Sequence, residues 1–389
     1  MIKITKKLAL SAALSLGMMA APAMADTVKI GFTGPLSGGA AVYGQNALYG
    51  MRMAADEINA AGGFTVDGKK HTFEIVSLDD KYAPSQAAVN AKRMVQRDKV
   101  KVVFTPHSGG VNALKGFNEK SDFILMAYTS VPNIESGNDL TFRIPPNFED
   151  YIAPYTAFTL QEHGKKIAIV SGTHDYARMW VRSFVPAWEA AGGEIVANNP
   201  MDYNKSADFY TGVSRALAKE PDALLIGGPS EPSGLVAQQA RQLGFTGGFV
   251  FMEQAKIDEM EQVVGSLELL EGSVGNTPLS ALSNPGAIRF IEKYKTDKKD
   301  DKALPAAEIG YHYMTIHLLA KAMQEAGTVA DTKRIAETLD AAAQQLDDKY
   351  NTYDVHGVDE EGGFVLAQNV AVVRDGRIVH YTGKDNNEE

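Results

Sequence analysis

The chain has 389 residues, a formal net charge of −10 and no cysteine. Disulfides, thiol nucleophiles and cysteine-based metal sites are therefore excluded, and a hydrophobic core has to hold the fold. The acidic balance also disfavours a nucleic-acid partner, whose phosphates require a basic surface.

The opening segment, MIKITKKLALSAALSLGMMAAPAMA, carries Lys3, Lys6 and Lys7 ahead of an apolar run and closes on Ala23-Met24-Ala25. This is the pattern of a secretory signal peptide, with cleavage expected after Ala25. The run from Leu8 to Ala21 is too short, and too rich in Ser and Gly, for a membrane anchor. Removing three lysines and no acids moves the charge from −10 to −13, and 389 residues less the 25 of the leader leave 364. A chain of that length can build two lobes with separate cores.

Short apolar runs then alternate with longer amphipathic ones. Strands are expected at 27–33, 72–78, 100–105 and 123–128, with helices at 40–61, 83–97 and 109–120. A second series places strands at 166–171, 194–198, 222–227 and 248–252, with helices at 150–163, 178–191, 206–218 and 231–243. Strands that are apolar throughout, separated by helices, indicate parallel sheets covered on both faces. Two such series predict an α/β protein of two doubly wound, Rossmann-like lobes. Pro145 and Pro146 mark a switch between them, and the turn-rich stretch 271–286 marks another. Helices follow at 287–295, 306–326 and 332–342, then strands at 364–373 and 377–382 joined by the Asp375-Gly376 turn. The tail GKDNNEE is expected to fray.

Catalytic signatures are nearly absent. No G-x-S-x-G elbow, P-loop, G-x-G-x-x-G or H-E-x-x-H occurs, and the eight histidines show no ligand spacing. GPLSGGA (34–40) lacks the lysine of a phosphate loop, and the two acids of LDDKY (78–82) are expected to be solvated loop carboxylates. The only local candidate for a hydrolase is Ser108 beside His107, and adjacent residues seldom meet as nucleophile and base. No cofactor or metal is implied.

What remains is a set of strand-to-helix junctions presenting small polar and aromatic residues: Tyr43 after the first strand, Pro106-His107-Ser108-Gly109-Gly110 after the third, and Tyr128-Thr129-Ser130 after the fourth. In open α/β sheets these carboxyl ends line the ligand crevice. A carboxylate at Ser108 and Gly109 would meet free N–H groups and the positive end of a helix. Equally, Ser108 is a good N-cap and the glycines good turn residues.

Six stretches, in order, resemble the periplasmic solute-binding proteins of ABC importers, specifically the branched-chain amino acid (Leu/Ile/Val)-binding family with the type I binding-protein fold. They are KIGFTGPLSGGAAVYGQNALYGMRMAADEINAAGG (29–63), FRIPPN, IAIVSGTHDYARMW, AWEAAGGEIV, QARQLGF with FVFMEQ, and DEEGGFVLAQNVAVVRDGRIV. The resemblance implies a periplasmic, monomeric binding protein whose lobes close over a small solute and deliver it to an inner-membrane permease. It implies three crossings between an N-terminal lobe (26–145 and 277–360) and a C-terminal lobe (146–276 and 361–389), the third near Gly357–Gly363. Ser108 corresponds to the carboxylate anchor, Tyr43 to the aromatic beside the ligand side chain, Thr129 to a carbonyl contact, Tyr176 to the second-lobe tyrosine, and Glu253 to the ammonium partner. Tyr128 joins them as a cleft aromatic, and His107, Ser230 and Glu231 stand behind. Val131 replaces a family threonine, for which Ser130 could compensate, and Pro229 replaces an aromatic. The implied ligand is an aliphatic or aromatic amino acid, with an aromatic carboxylate or other small organic acid or amide as the alternative. A role as a sensor for a signalling partner is compatible with the same closure. Glu253 discriminates, because an ionised glutamate in a closed cleft is costly unless a cation or donor meets it.

Overall fold

The computed structural model describes residues 25–38, 40–203, 207–367 and 369–381. The expected leader as far as Met24 and the fraying tail lie outside them. In chain order the first half comprises β1 (Asp26–Gly34), α1 (Ala41–Ala60), β2 (Phe64–Val66), β3 (Lys69–Asp79), α2 (Pro84–Asp98), β4 (Val102–Thr105), α3 (Ser108–Lys115), β5 (Ile124–Ala127) and β6 (Thr141–Arg143). The second series is α4 (Ile152–Glu162), β7 (Lys166–Ile169), α5 (Asp175–Ala190), β8 (Glu194–Asn198), α6 (Tyr210–Leu217), β9 (Ala223–Ile226), α7 (Ser230–Gln242), β10 (Gly248–Phe251), α8 (Ile257–Val264) and β11 (Ser273–Asn276). After it come α9 (Pro285–Lys298), α10 (Ala307–Ala326), α11 (Thr332–Gln344), β12 (Val355–Val358), β13 (Phe364–Leu366), β14 (Val370–Arg374) and β15 (Arg377–His380).

Two large sheets result, in the orders β2-β3-β1-β4-β5-β6 and β15-β14-β11-β10-β9-β7-β8, beside a two-stranded sheet of β12 and β13. The interiors of the large sheets are parallel, with antiparallel strands only at β2 and at the β14–β15 edge. Each large sheet is covered on both faces, which explains strands that are apolar at every position. Val102 and Phe104 of β4 pack under α1, α9, α10 and α11, while Val103 packs under α2 and α3. In β9, Leu224 and Ile226 face α6, α7 and α8, and Ala223 and Leu225 face α4 and α5. The two-residue side-chain period survives, and hydrophobicity cannot reveal it when both faces are dry.

The chain passes between the sheets along three neighbouring segments. Arg143 N donates to Gly362 O at 2.9 Å, and Thr277 N donates to Asn369 O at 2.9 Å. The third passage falls between β13 and β14 rather than near Gly357–Gly363. Phe364 is buried in the first core, and β13 pairs with β12. The expected strand 364–373 is therefore two strands, broken where the chain changes sheets. Helix α3 stops at Lys115 instead of running to 120, because the buried Asn118 side chain turns back to Leu140 O at 3.1 Å and Thr141 Oγ1 at 3.3 Å.

Two close approaches fix α1. A Cβ on Gly44 would lie 1.9 Å from Pro35 O, and one on Gly50 would lie 2.2 Å from Ile309 O. Only glycine lets α1 settle against the end of β1 and against α10.

Candidate functional site

The C-terminal ends of β1, β4 and β5 in one sheet meet those of β7, β9 and β10 in the other, as the strand-end rule for open sheets requires of a ligand crevice. At the end of β4, His107 caps α3. Its Nδ1 accepts from Gly110 N at 2.9 Å, so the ring proton is on Nε2, which donates to Asp80 Oδ2 at 3.0 Å. Asp80 is fully buried and also accepts from Thr33 Oγ1 at 3.1 Å and Tyr82 N at 2.9 Å. Asp80 is thus not a solvated loop carboxylate, whereas Asp79 is only half-buried. Asp80 braces the helix cap from below, and Asp79 accepts from Leu36 N and Lys81 N, both at 2.9 Å. With both imidazole nitrogens committed, His107 has none left to serve Ser108 as a base.

The cap takes the Gly110 amide and leaves those of Ser108 and Gly109 without a partner among the described residues. They sit in the first turn of α3, where the helix end is positive. Pro84 Cγ would lie 2.7 Å from a Cβ at Gly109, so α2 also closes against this turn.

Around this turn the aromatics gather. Tyr43, on the first turn of α1, lies 6.0 Å from Tyr128 between ring centroids; Tyr128 in turn meets Tyr311 at 5.6 Å and His312 at 4.8 Å. Burial, then the Glu308, Tyr82 and Glu253 charges, push the Tyr43 phenol well above its ordinary value. Burial and Glu308 do the same to Tyr128, which is buried in the first core and packs beneath Tyr43. Thr129 is half-buried and makes no side-chain hydrogen bond among the described residues.

From the second sheet, α5 begins at Asp175, three residues earlier than expected, and so sets Tyr176 on its first turn. The Tyr176 hydroxyl donates to Glu253 Oε1, and Trp180 Nε1 donates to Glu253 Oε2 at 2.6 Å. Phe148 supports both rings, edge-on to Tyr176 at 5.6 Å and stacked on Trp180 at 5.6 Å. Burial raises the Glu253 carboxyl, opposed by the two donors and by Lys256. Burial and Glu253 push the Tyr176 phenol well above its ordinary value, and Ser130, from the segment after β5, opposes that rise from across the crevice. Val131 turns instead into the core beneath α2 and α3.

Ser230 is buried at the start of α7, where its hydroxyl accepts from Lys256 N at 3.1 Å and donates to Glu259 Oε2 at 2.7 Å. Glu231 is not brought to the cluster. It is exposed on the first turn of α7, where a carboxylate complements the positive helix end. Sequence reasoning missed Lys256 and Glu308. The signal for Glu308 was a lone acid opening a helix, AEIGYHYMTIHLLA, that is otherwise almost wholly buried.

The chain matches the periplasmic binding protein family over residues 27–377 and belongs to it. It is 27% identical over 366 residues to the leucine-, isoleucine-, valine-, threonine- and alanine-binding protein of Pseudomonas aeruginosa, covering 91% of each chain. Among solved structures it resembles a leucine-binding protein from Thermotoga maritima at a TM-score of 0.74 and 25% identity, covering 91% of this chain and 97% of that one. It also resembles the branched-chain amino acid transporter substrate-binding protein of Streptococcus pneumoniae, solved with isoleucine, at a TM-score of 0.74 and 24% identity, covering 92% and 100%. This is a solute-binding protein of the ABC-transporter class, not an enzyme, with branched-chain amino acid binders among its near relatives.

Proposed function

We propose that the protein captures a small carboxylate-bearing solute between two lobes, an aliphatic or aromatic amino acid being favoured. It then delivers the solute as a monomer to the inner-membrane permease of an ABC importer. The lobes divide near 145, near 277 and between β13 and β14, and a leader removed after Ala25 carries the chain to the periplasm. One observation carries this reading: the unpaired Ser108 and Gly109 amides share a crevice with Tyr43, Tyr176 and Glu253. A carboxylate at the amides gains two donors and the helix field, and an ammonium group gains Glu253. The ligands named for the relatives carry both groups. Closure follows because each lobe holds part of the solute, so only the liganded closed state collects both sets of contacts.

A second reading, an aromatic carboxylate, is favoured by Glu253 itself. Both of its oxygens already accept from Tyr176 and Trp180, so a ligand without an ammonium group leaves no bare charge. A thermal-shift screen of leucine, valine, alanine and phenylalanine against benzoate and hydroxybenzoates decides between them. Stabilisation by the amino acids alone supports the first reading, and stabilisation by the benzoates alone replaces it with the second.

A further inference from the structure

A polar bridge across the crevice involves charges that need not touch a solute. Lys256 Nζ, just past the end of β10, donates to Glu308 Oε2 at 2.8 Å on the opposite side, at the first turn of α10. Each partner is anchored within its own half. Glu308 Oε1 accepts from Asn46 Nδ2 of α1 at 3.0 Å. Lys256 Nζ also meets Glu259 Oε1 at 3.0 Å, and its backbone N–H is fixed by Ser230. The side chains are 18% and 3% exposed, so little water screens the pair.

We propose that Lys256 and Glu308 are positioning residues that fix where one lobe lands on the other, and so set the closed-to-open ratio of the free protein and the dimensions of the trap. The assignment rests on the reading that the lobes open and close around a solute. A buried ion pair gains little net energy over solvated ions but loses much when one member is removed, because the survivor stays buried with its charge only partly met: Glu308 keeps the neutral Asn46, and Lys256 keeps the single acid Glu259. In this protein the survivor escapes that cost by opening the crevice and regaining water. Single substitutions therefore shift the population towards the open form rather than unfolding the chain. Asn46 holds Glu308 ready before Lys256 arrives, and Ser230 and Glu259 hold Lys256, so the pair closes in one register.

The absence of native cysteine allows the test to be made without any solute. Spin labels on Ser85→Cys (first turn of α2) and Arg182→Cys (on α5) report the interlobe distance by double electron–electron resonance. Without added ligand, Lys256→Met and Glu308→Gln should each lower the ratio of short to long distances at least about tenfold. The exchange Lys256→Glu with Glu308→Lys should restore the short distance, since the reversed lysine can still meet both acids on the second side. Unchanged distributions in both single variants would overturn the proposal, as would an exchange variant as open as the single ones. Because no ligand is present, these outcomes are independent of which solute the crevice accepts.

Discussion

Trp180 Nε1 lies 2.6 Å from Glu253 Oε2, and the indole is fully buried between Phe148 and Phe184. An acid raised by burial is thus steadied from behind by a donor that a solute cannot displace. Trp180→Phe keeps the stacking but removes that donor. It is expected to cost about 2–3 kcal/mol in urea unfolding. An unchanged midpoint would show that the indole hydrogen bond contributes nothing.

Glu253→Gln separates the two ligand readings. For an amino acid it removes the charge partner of the ammonium group and should weaken binding by about 1–3 kcal/mol by calorimetry. For an aromatic carboxylate it relieves repulsion between two anions, and affinity should hold or rise.

The turn at the head of α3 divides its labour between neighbours. Ser108→Ala keeps the backbone amide and removes only the hydroxyl; it should leave stability within about 0.5 kcal/mol and weaken a carboxylate ligand by about 1 kcal/mol. His107→Phe removes both the cap on Gly110 and the donor to buried Asp80, and should cost about 3 kcal/mol of stability. Equal effects of the two substitutions on unfolding would refute that division.

Helix α10 carries two buried histidines. Burial lowers His312 to about 4, against its hydrogen bond to the Glu308 carbonyl, and lowers His317 to about 3, against Glu57. Below the unfolded pKa of about 6.5 the unfolded chain binds protons that the folded chain refuses. The stability tied to these neutral rings is therefore complete above pH 6.5 and is lost as pH falls towards 4 and below. Each ring contributes at most about 1.4 kcal/mol per pH unit in that window. Urea unfolding at pH 5 should fall about 3 kcal/mol short of that at pH 7, and His312→Phe with His317→Phe should flatten the difference. A pH-independent wild type would contradict it.

Gly50→Ala places a methyl 2.2 Å from Ile309 O, between the helix that carries Tyr43 and Asn46 and the one that carries Glu308. Overpacking here should cost about 1–3 kcal/mol and should also weaken ligand binding, because both helices carry residues of the same wall of the crevice. Loss of stability with unaltered affinity would mean that the helix spacing does not reach the site.

The alternation of apolar runs and amphipathic stretches was enough to place both series of strands and most helices. Short elements escaped. β6, β11 and β12 have three or four residues each and carry no periodicity of their own, and their pairing partners are distant in sequence. The break between β13 and β14 was equally hidden, since FVLAQNVAVV is apolar on both sides of the point where the chain changes sheets. Of the candidate site, the position of Ser108, Tyr43, Tyr176 and Glu253 at the crevice was legible because they stand at strand ends or within recognisable family stretches. Glu231 was misplaced because proximity along the chain says nothing about which way a helix-start side chain points.

By itself, then, the sequence determined the local grammar: parallel strands dry on both faces, helices between them, and small polar and aromatic residues at the carboxyl ends. Only the tertiary structure decided which charges meet. Asp80 under His107, Trp180 behind Glu253, and Lys256 across from Glu308 are separated by 27, 73 and 52 residues. No local pattern encodes such pairs; they exist because two sheets and ten or more helices have already been packed, and a buried charge must find its partner wherever that packing leaves one.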